Sequence, residues 1–243
     1  MTDLPAVAVV IFTYDRFSTA QKTLAALAAH LRYAGPLVLH LSDDGSPALP
    51  DGTAYVDALR EYAEGLMLGT SEVQTSVSER RGYGGSMNAS TQMTHAYADV
   101  LLPLEDDWEL SRDLDLTPLV LDLIENSRVE CIRLGYLGYT QPIRGEVIDL
   151  PHSGKALLLD PESPERHIFA GHPRLETRRF ERAIGPWPEG LQAGKTEFEV
   201  SGRPESRAGV VWPLDLAIPG SQRHDSLFRH IGFDEKGEID PSA

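Results

Sequence analysis

The first hundred residues alternate short apolar runs with longer amphipathic stretches. The apolar runs predict strands, and the amphipathic stretches predict helices between them. In chain order, the predicted strands and helices are Ala6–Thr13, Ser18–Arg32, Leu37–Ser42, Thr53–Ala63, Val73–Val77, Gly85–Ala98 and Val100–Leu104. Strands connected through helices of this length form a parallel sheet with helices on both faces. The expected fold class is therefore α/β.

The alternation fades beyond Trp108, where proline, glycine and short β-like pieces take over. The clearest of these pieces are Val129–Leu134, Gly145–Leu150 and Gly209–Trp212. No stretch has the composition of a linker. We therefore expect one continuous domain, in which a smaller mixed half, residues 111–243, packs on a larger half, residues 1–110.

Composition and charge exclude several classes of protein. The 243 residues contain 22 Lys and Arg against 37 Asp and Glu, a net charge of -15 that repels phosphate backbones. The longest apolar run, Ala6–Phe12, has seven residues, whereas a membrane span needs about 20. A single cysteine, Cys131, suits a reducing compartment, and no basic region precedes the first apolar run. A cytoplasmic protein without a membrane span is expected.

Polar residues directly follow all four predicted strands. They are Thr13–Arg16, Asp43–Ser46, Glu79–Gly82 and Glu105–Asp107. Each cluster alone is also typical of a turn, but the carboxyl ends of parallel strands share one edge, where α/β sheets bind ligands. The loop after the first strand lacks the glycines of a dinucleotide site, and the spacing within Gly190–Thr196 is one residue short of a P-loop.

The acidic triplet Glu105, Asp106 and Asp107 is the strongest chemical signal. Adjacent carboxylates repel one another, and a divalent cation with oxygen ligands, Mg²⁺ or Mn²⁺, commonly offsets that repulsion. The alternative is a solvated acidic turn. Its position at a strand end favours a metal site shared with substrate phosphates.

The order of these motifs resembles a known family. The segments 9–16, 41–46, 79–88 and 104–109 occur in the order seen in family-2-like glycosyltransferases of the GT-A fold, and the resemblance covers about residues 6–110. It implies a mainly parallel, Rossmann-like sheet and an inverting, metal-dependent transfer of a sugar from a nucleoside-diphosphate sugar, with a UDP-sugar as the first choice.

The resemblance also implies roles for individual residues. The implied donor contacts are Thr13, Tyr14, Arg16, Asp43, Arg81 and Asp106. The triplet corresponds to the family's D-x-D motif, although Glu105 replaces the usual first Asp. Asp107 is then the main ligand of Mn²⁺ or Mg²⁺, Glu105 is a second ligand, and Asp106 contacts ribose or the metal.

Two further segments of the second half resemble the same family. Phe180–Gly190, followed by Thr196–Arg203, implies Glu197 as the catalytic base where an Asp is usual, with Glu199 as the alternative. A base must lie within hydrogen-bond reach of the acceptor hydroxyl. The segment His230–Gly232 resembles a His-x-Gly segment that supplies a metal ligand, and His224 competes for that role. Simple structural roles for these acids and histidines remain open.

Three functional hypotheses follow. The leading one is the glycosyltransferase, acting on a glycan, a small molecule, a protein or, against the net charge, modified DNA. A nucleotidyltransferase on a related sheet is the first alternative, although it usually carries a glycine-rich basic loop after the first strand. A non-catalytic nucleotide- or sugar-binding module is the second. Tyr136 and Tyr139 are candidates for stacking on a sugar, whereas Trp212 is expected in the core.

Overall fold

A computed structural model describes residues 4–66, 72–135, 143–163, 171–216 and 226–232. The strands in these ranges are β1 Val7–Thr13, β2 Leu31–Arg32, β3 Leu37–Asp43, β4 Glu72–Val77, β5 Val100–Glu105, β6 Trp108–Leu110, β7 Leu114–Asp115, β8 Cys131–Arg133, β9 Gly145–Leu150, β10 Gly154–Leu159, β11 Arg174–Thr177, β12 Val210–Pro213 and β13 Phe228–His230. The helices are α1 Phe17–His30, α2 Tyr55–Gly65, α3 Gly82–Thr94, α4 Thr117–Glu125, α5 Arg178–Ile184 and α6 Ala193–Ser201.

A nine-stranded sheet runs through both halves of the described chain, in the order β4-β3-β1-β5-β11-β8-β12-β10-β9. The strands β4, β3, β1 and β5 are parallel, with Ile11 of β1 opposite Leu41 on one side and Leu104 on the other. Strand β11 joins β5 in the antiparallel direction. The carboxyl ends of β1, β3 and β5 therefore share one edge, as expected from the sequence.

Strand β1 is buried on both faces. The alternate residues from Val7 to Ile11 pack with α1, α2 and α4, whereas those from Ala8 to Phe12 pack with α3, α5 and α6. A strand covered on both faces gains from apolar side chains at every position, so it forms a continuous apolar run. The expected α/β class with helices on both faces is confirmed.

The predicted elements of the first half correspond to β1, α1, β3, α2, β4, α3 and β5. The largest error is at α3, which begins at Gly82 instead of Gly85 and ends at Thr94 instead of Ala98. The cause of the early start is Asp44, whose carboxylate accepts hydrogen bonds from the backbone N–H groups of Arg81 and Gly82 and so satisfies the first donors of the helix.

A separate two-stranded sheet forms from β6, which begins shortly after the end of β5, and β13. Strand β13 pairs antiparallel with β6, which places His230 opposite Trp108.

Trp212 is fully buried, as predicted. No helix in the described part of the chain combines the length and the apolar character needed to cross a bilayer.

Candidate active site

The ends of β1, β3 and β5 border a cavity of about 220 Å³ together with the start of α3. Its lining residues are Phe12, Thr13, Tyr14, Arg16, Ser42, Asp44, Tyr83, Ser86, Glu105, Asp106 and Ala193. The polar residues that follow separate strands in the sequence thus meet in one crevice. Ser42 lies near the end of β3 and Asp44 directly follows the strand, and both line the cavity.

Thr13 and Asp106 form a fixed pair in the cavity wall. The Thr13 hydroxyl donates to Oδ2 of Asp106 at 2.8 Å and lies 2.6 Å from the Tyr55 hydroxyl. Because the Thr13 hydrogen is directed to Asp106, the Tyr55 hydroxyl is the donor to Thr13. Burial raises the pKa of Tyr55 to about 12. The backbone of Asp106 is held as well, because its carbonyl accepts from the Thr23 hydroxyl at 2.8 Å.

Arg16 is the cation of the acidic cluster. Its Nη1 atom lies 3.3 Å from Oδ1 of Asp106 and in closer contact with Oδ2 of Asp107. Burial by itself would lower the pKa of Arg16, but the two carboxylates outweigh that effect and raise the pKa. The guanidinium therefore offsets the mutual repulsion of two adjacent, buried carboxylates.

Asp107 faces His230 with its other oxygen. Oδ1 of Asp107 is buried, accepts no hydrogen bond from the described residues, and lies 3.5 Å from Nε2 of His230. The His230 and Trp108 rings also pack in a T-shaped arrangement, with centroids 4.7 Å apart. A carboxylate oxygen and an imidazole nitrogen are both groups that ligate divalent cations in proteins.

Gly232 explains the spacing of the His-x-Gly segment. A Cβ atom at this position would stand 3.0 Å from Cγ of Asp107, closer still to its Oδ2, and 3.1 Å from Cε1 of His230. Only glycine lets the chain pass so close to the pair. The backbone is tied there too, because Ile231 donates its N–H to the Asp107 carbonyl at 2.8 Å.

Glu105 lies apart from this pair. Its Oε1 atom approaches Gly171, where Oε1 of Glu197 and the Tyr83 hydroxyl also meet. Burial, and then the charges of Asp107 and Glu197, raise the pKa of Glu105 well above its ordinary value. Within the described ranges, no three His, Cys, Asp or Glu side chains lie close enough together to hold one ion. The role of Glu105 as a metal ligand therefore stays a prediction.

The two candidate bases differ in their surroundings. Oε1 of Glu197 accepts the backbone N–H of Gly171 at 2.9 Å. The Glu199 side chain is 56% exposed and lies 3.8 Å from the Arg203 guanidinium. Of the two, Glu197 is the one beside the cavity wall formed by Glu105 and Tyr83.

Asp43 was the predicted donor contact, but its neighbour Asp44 is the residue that lines the cavity. Asp43 is buried, is absent from the cavity lining, and accepts hydrogen bonds from the Ser46 backbone at 3.1 Å and the Ser46 hydroxyl at 2.5 Å. Burial raises its pKa. Asp44 lines the cavity instead, and its carboxylate also accepts from the hydroxyls of Ser78 and Ser86 at 2.9 and 3.1 Å. Asp44 thus ties β3 to the loop before α3.

A cation–π contact closes the rim of the cavity. The Arg80 guanidinium carbon lies 3.7 Å from the centroid of the Tyr14 ring. Asp15 and Arg80 both have positive φ angles, 51° and 31°, a conformation that is strained for residues other than glycine. Arg81, the predicted donor contact, does not line the cavity, and its backbone N–H binds Asp44 at 2.7 Å.

No role was predicted from the sequence for six residues of the site, Tyr55, Tyr83, Ser42, Ser86, Ala193 and Gly171. Ser42, Tyr83 and Ser86 lie within the segments 41–46 and 79–88 that resemble the family. Tyr55, Ala193 and Gly171 reach the site from elements distant in the chain, and no local motif marks them. The predicted residues Tyr136, Tyr139 and His224 lie outside the described ranges.

Similar architectures exist among solved structures. GalNAc-T7 with UDP, GalNAc and Mn²⁺ superposes with a TM-score of 0.58 at 20% identity, over 88% of this chain and 43% of that chain. Residues 1–349 of S. aureus TarS with UDP-GlcNAc give 0.60 at 14% identity, over 87% and 57%. The mannosyltransferase PcManGT from Pyrobaculum calidifontis with GDP-Man and Mn²⁺ gives 0.52 at 15% identity, over 99% and 67%.

These neighbours are glycosyltransferases of the GT-A fold, so the GT-A-like fold expected from the sequence is confirmed. No protein-family model matches the sequence, and no curated protein is similar to it in sequence. The chain spans 43% of the length of GalNAc-T7 and 57% of the TarS chain. At 20% identity or less, the likeness establishes the fold.

Proposed function

We propose that the protein is an inverting, metal-dependent glycosyltransferase that uses a nucleoside-diphosphate sugar, with a UDP-sugar as the first donor to test. The observation that carries the proposal is the 3.5 Å approach of Nε2 of His230 to Oδ1 of Asp107, directly after the cavity residues Glu105 and Asp106. The neighbours add support, since they were solved with UDP, UDP-GlcNAc or GDP-Man, and two of them with Mn²⁺.

The donor would lie in the cavity between β1 and α3, within the proposed half formed by residues 1–110. Tyr14 offers a flat ring for the base, because aromatic faces bind planar rings well. Thr13 and Asp106 present a fixed hydroxyl–carboxylate pair to the ribose or sugar, and Arg16 brings positive charge for the diphosphate. Asp43 and Arg81 do not contact the donor in this proposal. Asp43 stabilises the loop after β3 by binding Ser46, and the backbone N–H of Arg81 holds the Asp44 carboxylate.

Asp107 and His230 would hold the metal, Mn²⁺ or Mg²⁺. Oδ1 of Asp107 accepts no hydrogen bond from the described residues, and it lies 3.5 Å from Nε2 of His230. Two such atoms are suitably placed to be adjacent ligands of one ion. When bound, the ion supplies charge stabilisation for the departing diphosphate. Arg16, in contact with the same carboxylate, adds a second positive charge.

Glu197 would act as the base. Its carboxylate takes the proton of the acceptor hydroxyl while the acceptor oxygen bonds to the anomeric carbon, and the bond from that carbon to the diphosphate oxygen breaks. A single displacement of this kind inverts the anomeric centre. The N–H of Gly171 holds one oxygen of this carboxylate at 2.9 Å. The acceptor half would comprise residues 111–243.

A thermal-shift panel tests the donor site. The panel contains UDP, GDP, TDP, CDP and ADP, each with Mn²⁺, with Mg²⁺ and with a chelator. A ligand that binds the native state raises its melting temperature by mass action. We expect a shift with one nucleoside diphosphate and metal that is lost in Asp107→Asn. The absence of a shift with every ligand would rule out the proposed donor site.

Turnover distinguishes an enzyme from a binding module. Release of the nucleoside diphosphate from the donor that shifts the melting temperature is measured for the wild type, Glu197→Gln and the matched control Glu199→Gln. General-base catalysis contributes about 10² to 10⁴-fold, so Glu197→Gln should lose at least about 100-fold while keeping the thermal shift. A wild type that binds but never turns over is a binding module, and release of pyrophosphate indicates a nucleotidyltransferase.

A further inference from the structure

Gly171 occupies a crowded position between three functional side chains. It is buried directly before His172 and β11, at the point where Glu105, at the end of β5, meets Glu197 of α6. Its N–H donates to Oε1 of Glu197 at 2.9 Å. The backbone of this residue thus contacts the proposed catalytic base directly.

A side chain at this position has no room. A Cβ atom would stand 2.5 Å from Oε1 of Glu197, 2.8 Å from the Tyr83 hydroxyl and closest of all to Oε1 of Glu105. Real Cβ contacts are essentially never this short. An added methyl group would therefore displace carboxylate groups of the site, whatever it did to the rest of the fold.

The two acids concerned are the same two that depart from the family pattern. Glu105 and Glu197 each stand where the resemblance expects Asp, and each is one methylene longer than Asp. Both of the longer side chains end against Gly171. One missing side chain thus provides the space that two added methylene groups require.

We propose that Gly171 is a positioning residue for Glu197, and that Gly171, Glu105 and Glu197 form a matched set. The glycine N–H orients the base, and the missing Cβ leaves room for both longer acids. This inference rests on the proposed function for its catalytic readout. Its geometric part, the mutual dependence of position 171 and the two acids, can be measured without turnover.

A cycle of variants tests the set. The variants are Gly171→Ala, the acid pair Glu105→Asp with Glu197→Asp, and all three changes together. A misplacement of about 1 Å at a catalytic group costs roughly 100-fold in rate, so Gly171→Ala should lower kcat by about that factor with little change in the donor KM. Gly65→Ala is the matched control, because nothing lies within 4 Å of a Cβ at position 65.

Rescue is the decisive readout. The shorter acids end farther from position 171. The kcat of the triple variant should therefore be at least about tenfold higher than that of Gly171→Ala, and its melting temperature should also be higher. If Gly171 had only a structural role, the effects of Gly171→Ala and of the acid pair on kcat and melting temperature would add in the triple variant. Additive effects on both kcat and melting temperature would overturn the proposal. If Gly171→Ala fails to fold, a triple variant that folds supports the set, and one that does not overturns it.

Failure of the proposed function gives a different result. If Glu197→Gln keeps full activity, or no donor turns over, the catalytic role of Glu197 is wrong. The coupling in melting temperature between position 171 and the acid pair would persist in that case. Loss of that coupling, in contrast, contradicts the matched set even when Glu197→Gln abolishes transfer.

Discussion

Nε2 of His230 lies 3.5 Å from Oδ1 of Asp107, although the two residues come from opposite halves of the chain. The contact depends on the pairing of β13 with β6, which fixes His230 opposite Trp108. Gly232 then lets the chain pass over the carboxylate. The last described strand therefore completes the acidic site, and removal of either side chain tests whether the pair holds a metal.

Asp107→Asn and His230→Gln should both weaken Mn²⁺ binding. Loss of an outer partner of a metal ligand already costs about 10- to 100-fold in affinity, so loss of a ligand should cost at least as much. Calorimetric titration with Mn²⁺ in the presence of the nucleoside diphosphate measures the change directly.

Asp149→Asn provides the control for this titration, because the Asp149 side chain is 85% exposed and pairs only with Lys155 among the described residues. It should bind Mn²⁺ like the wild type. Unchanged Mn²⁺ affinity in His230→Gln would show that His230 packs on Trp108 without coordinating the ion.

Arg16→Gln should strengthen Mn²⁺ binding in the absence of nucleotide. The Arg16 guanidinium already contacts Asp107, so a metal must compete with it. A partly exposed ion pair is worth up to about 1 kcal/mol, which corresponds to roughly a fivefold gain in affinity. Titration of the nucleotide-free protein with Mn²⁺ is the measurement. Weaker binding in the variant would mean that Arg16 organises the carboxylates for the metal instead of competing with it.

Tyr14 and Arg80 should contribute to nucleotide binding as a stacked pair. Stacking of a base on an aromatic ring is worth about 1–3 kcal/mol, so Tyr14→Ala should weaken nucleoside diphosphate binding roughly tenfold, and Tyr14→Phe should keep most of the affinity. An exposed cation–π contact is worth about 0.5–1 kcal/mol, so Arg80→Gln should cost roughly two- to fivefold.

Arg128→Gln is the control for the charge change, because Arg128 pairs with Glu146 and is absent from the cavity lining. Fluorescence titration with the nucleoside diphosphate measures all four variants. Equal affinities for Tyr14→Ala and the wild type would remove the ring from the donor site.

The first half of the fold was predictable because each element carries its own periodicity. Strand β1 is a continuous apolar run, and α1 and α2 have amphipathic patterns long enough to detect. In the second half, the predicted pieces Val129–Leu134, Gly145–Leu150 and Gly209–Trp212 correspond to β8, β9 and β12, whereas β10 and β11 were not predicted. Strand β11 contains Arg174 and Glu176, which are almost fully buried as an ion pair with a 2.7 Å contact. Charged residues of this kind predict a surface loop, and only tertiary pairing places them inside a sheet.

The candidate site was predictable to the same extent. Residues at the ends of β1, β3 and β5 were identified because strand ends of a parallel sheet converge. The choice between Asp43 and Asp44 required the loop geometry, because Asp43 binds Ser46 whereas Asp44 lines the cavity. Gly171 had no local signal, since its importance comes from two acids that are distant in sequence.

The pH dependence of stability should report on His40 in the core of the sheet. Its ring nitrogens lie 2.8 Å from the Tyr97 hydroxyl and 2.9 Å from the Ser76 hydroxyl. Burial lowers the pKa of His40 from the ordinary 6.5 to about 4. Between these two values the unfolded chain binds a proton that the folded protein does not, so the free energy of unfolding decreases as the pH falls from 6.5 towards 4.

His40→Gln should remove this component of the pH dependence while keeping a neutral donor and acceptor in the sheet. Each unit of pKa shift corresponds to about 1.4 kcal/mol, so His40 should account for a loss on the order of 3 kcal/mol by pH 4. Urea unfolding of both proteins from pH 8 to pH 5 measures the difference, and subtraction of the two curves removes the contributions of carboxylates that titrate in the same range. At pH 8 both states are neutral at His40, which fixes the baseline. Parallel curves for the two proteins below pH 6.5 would show that the pKa of His40 is the same in the folded and unfolded states.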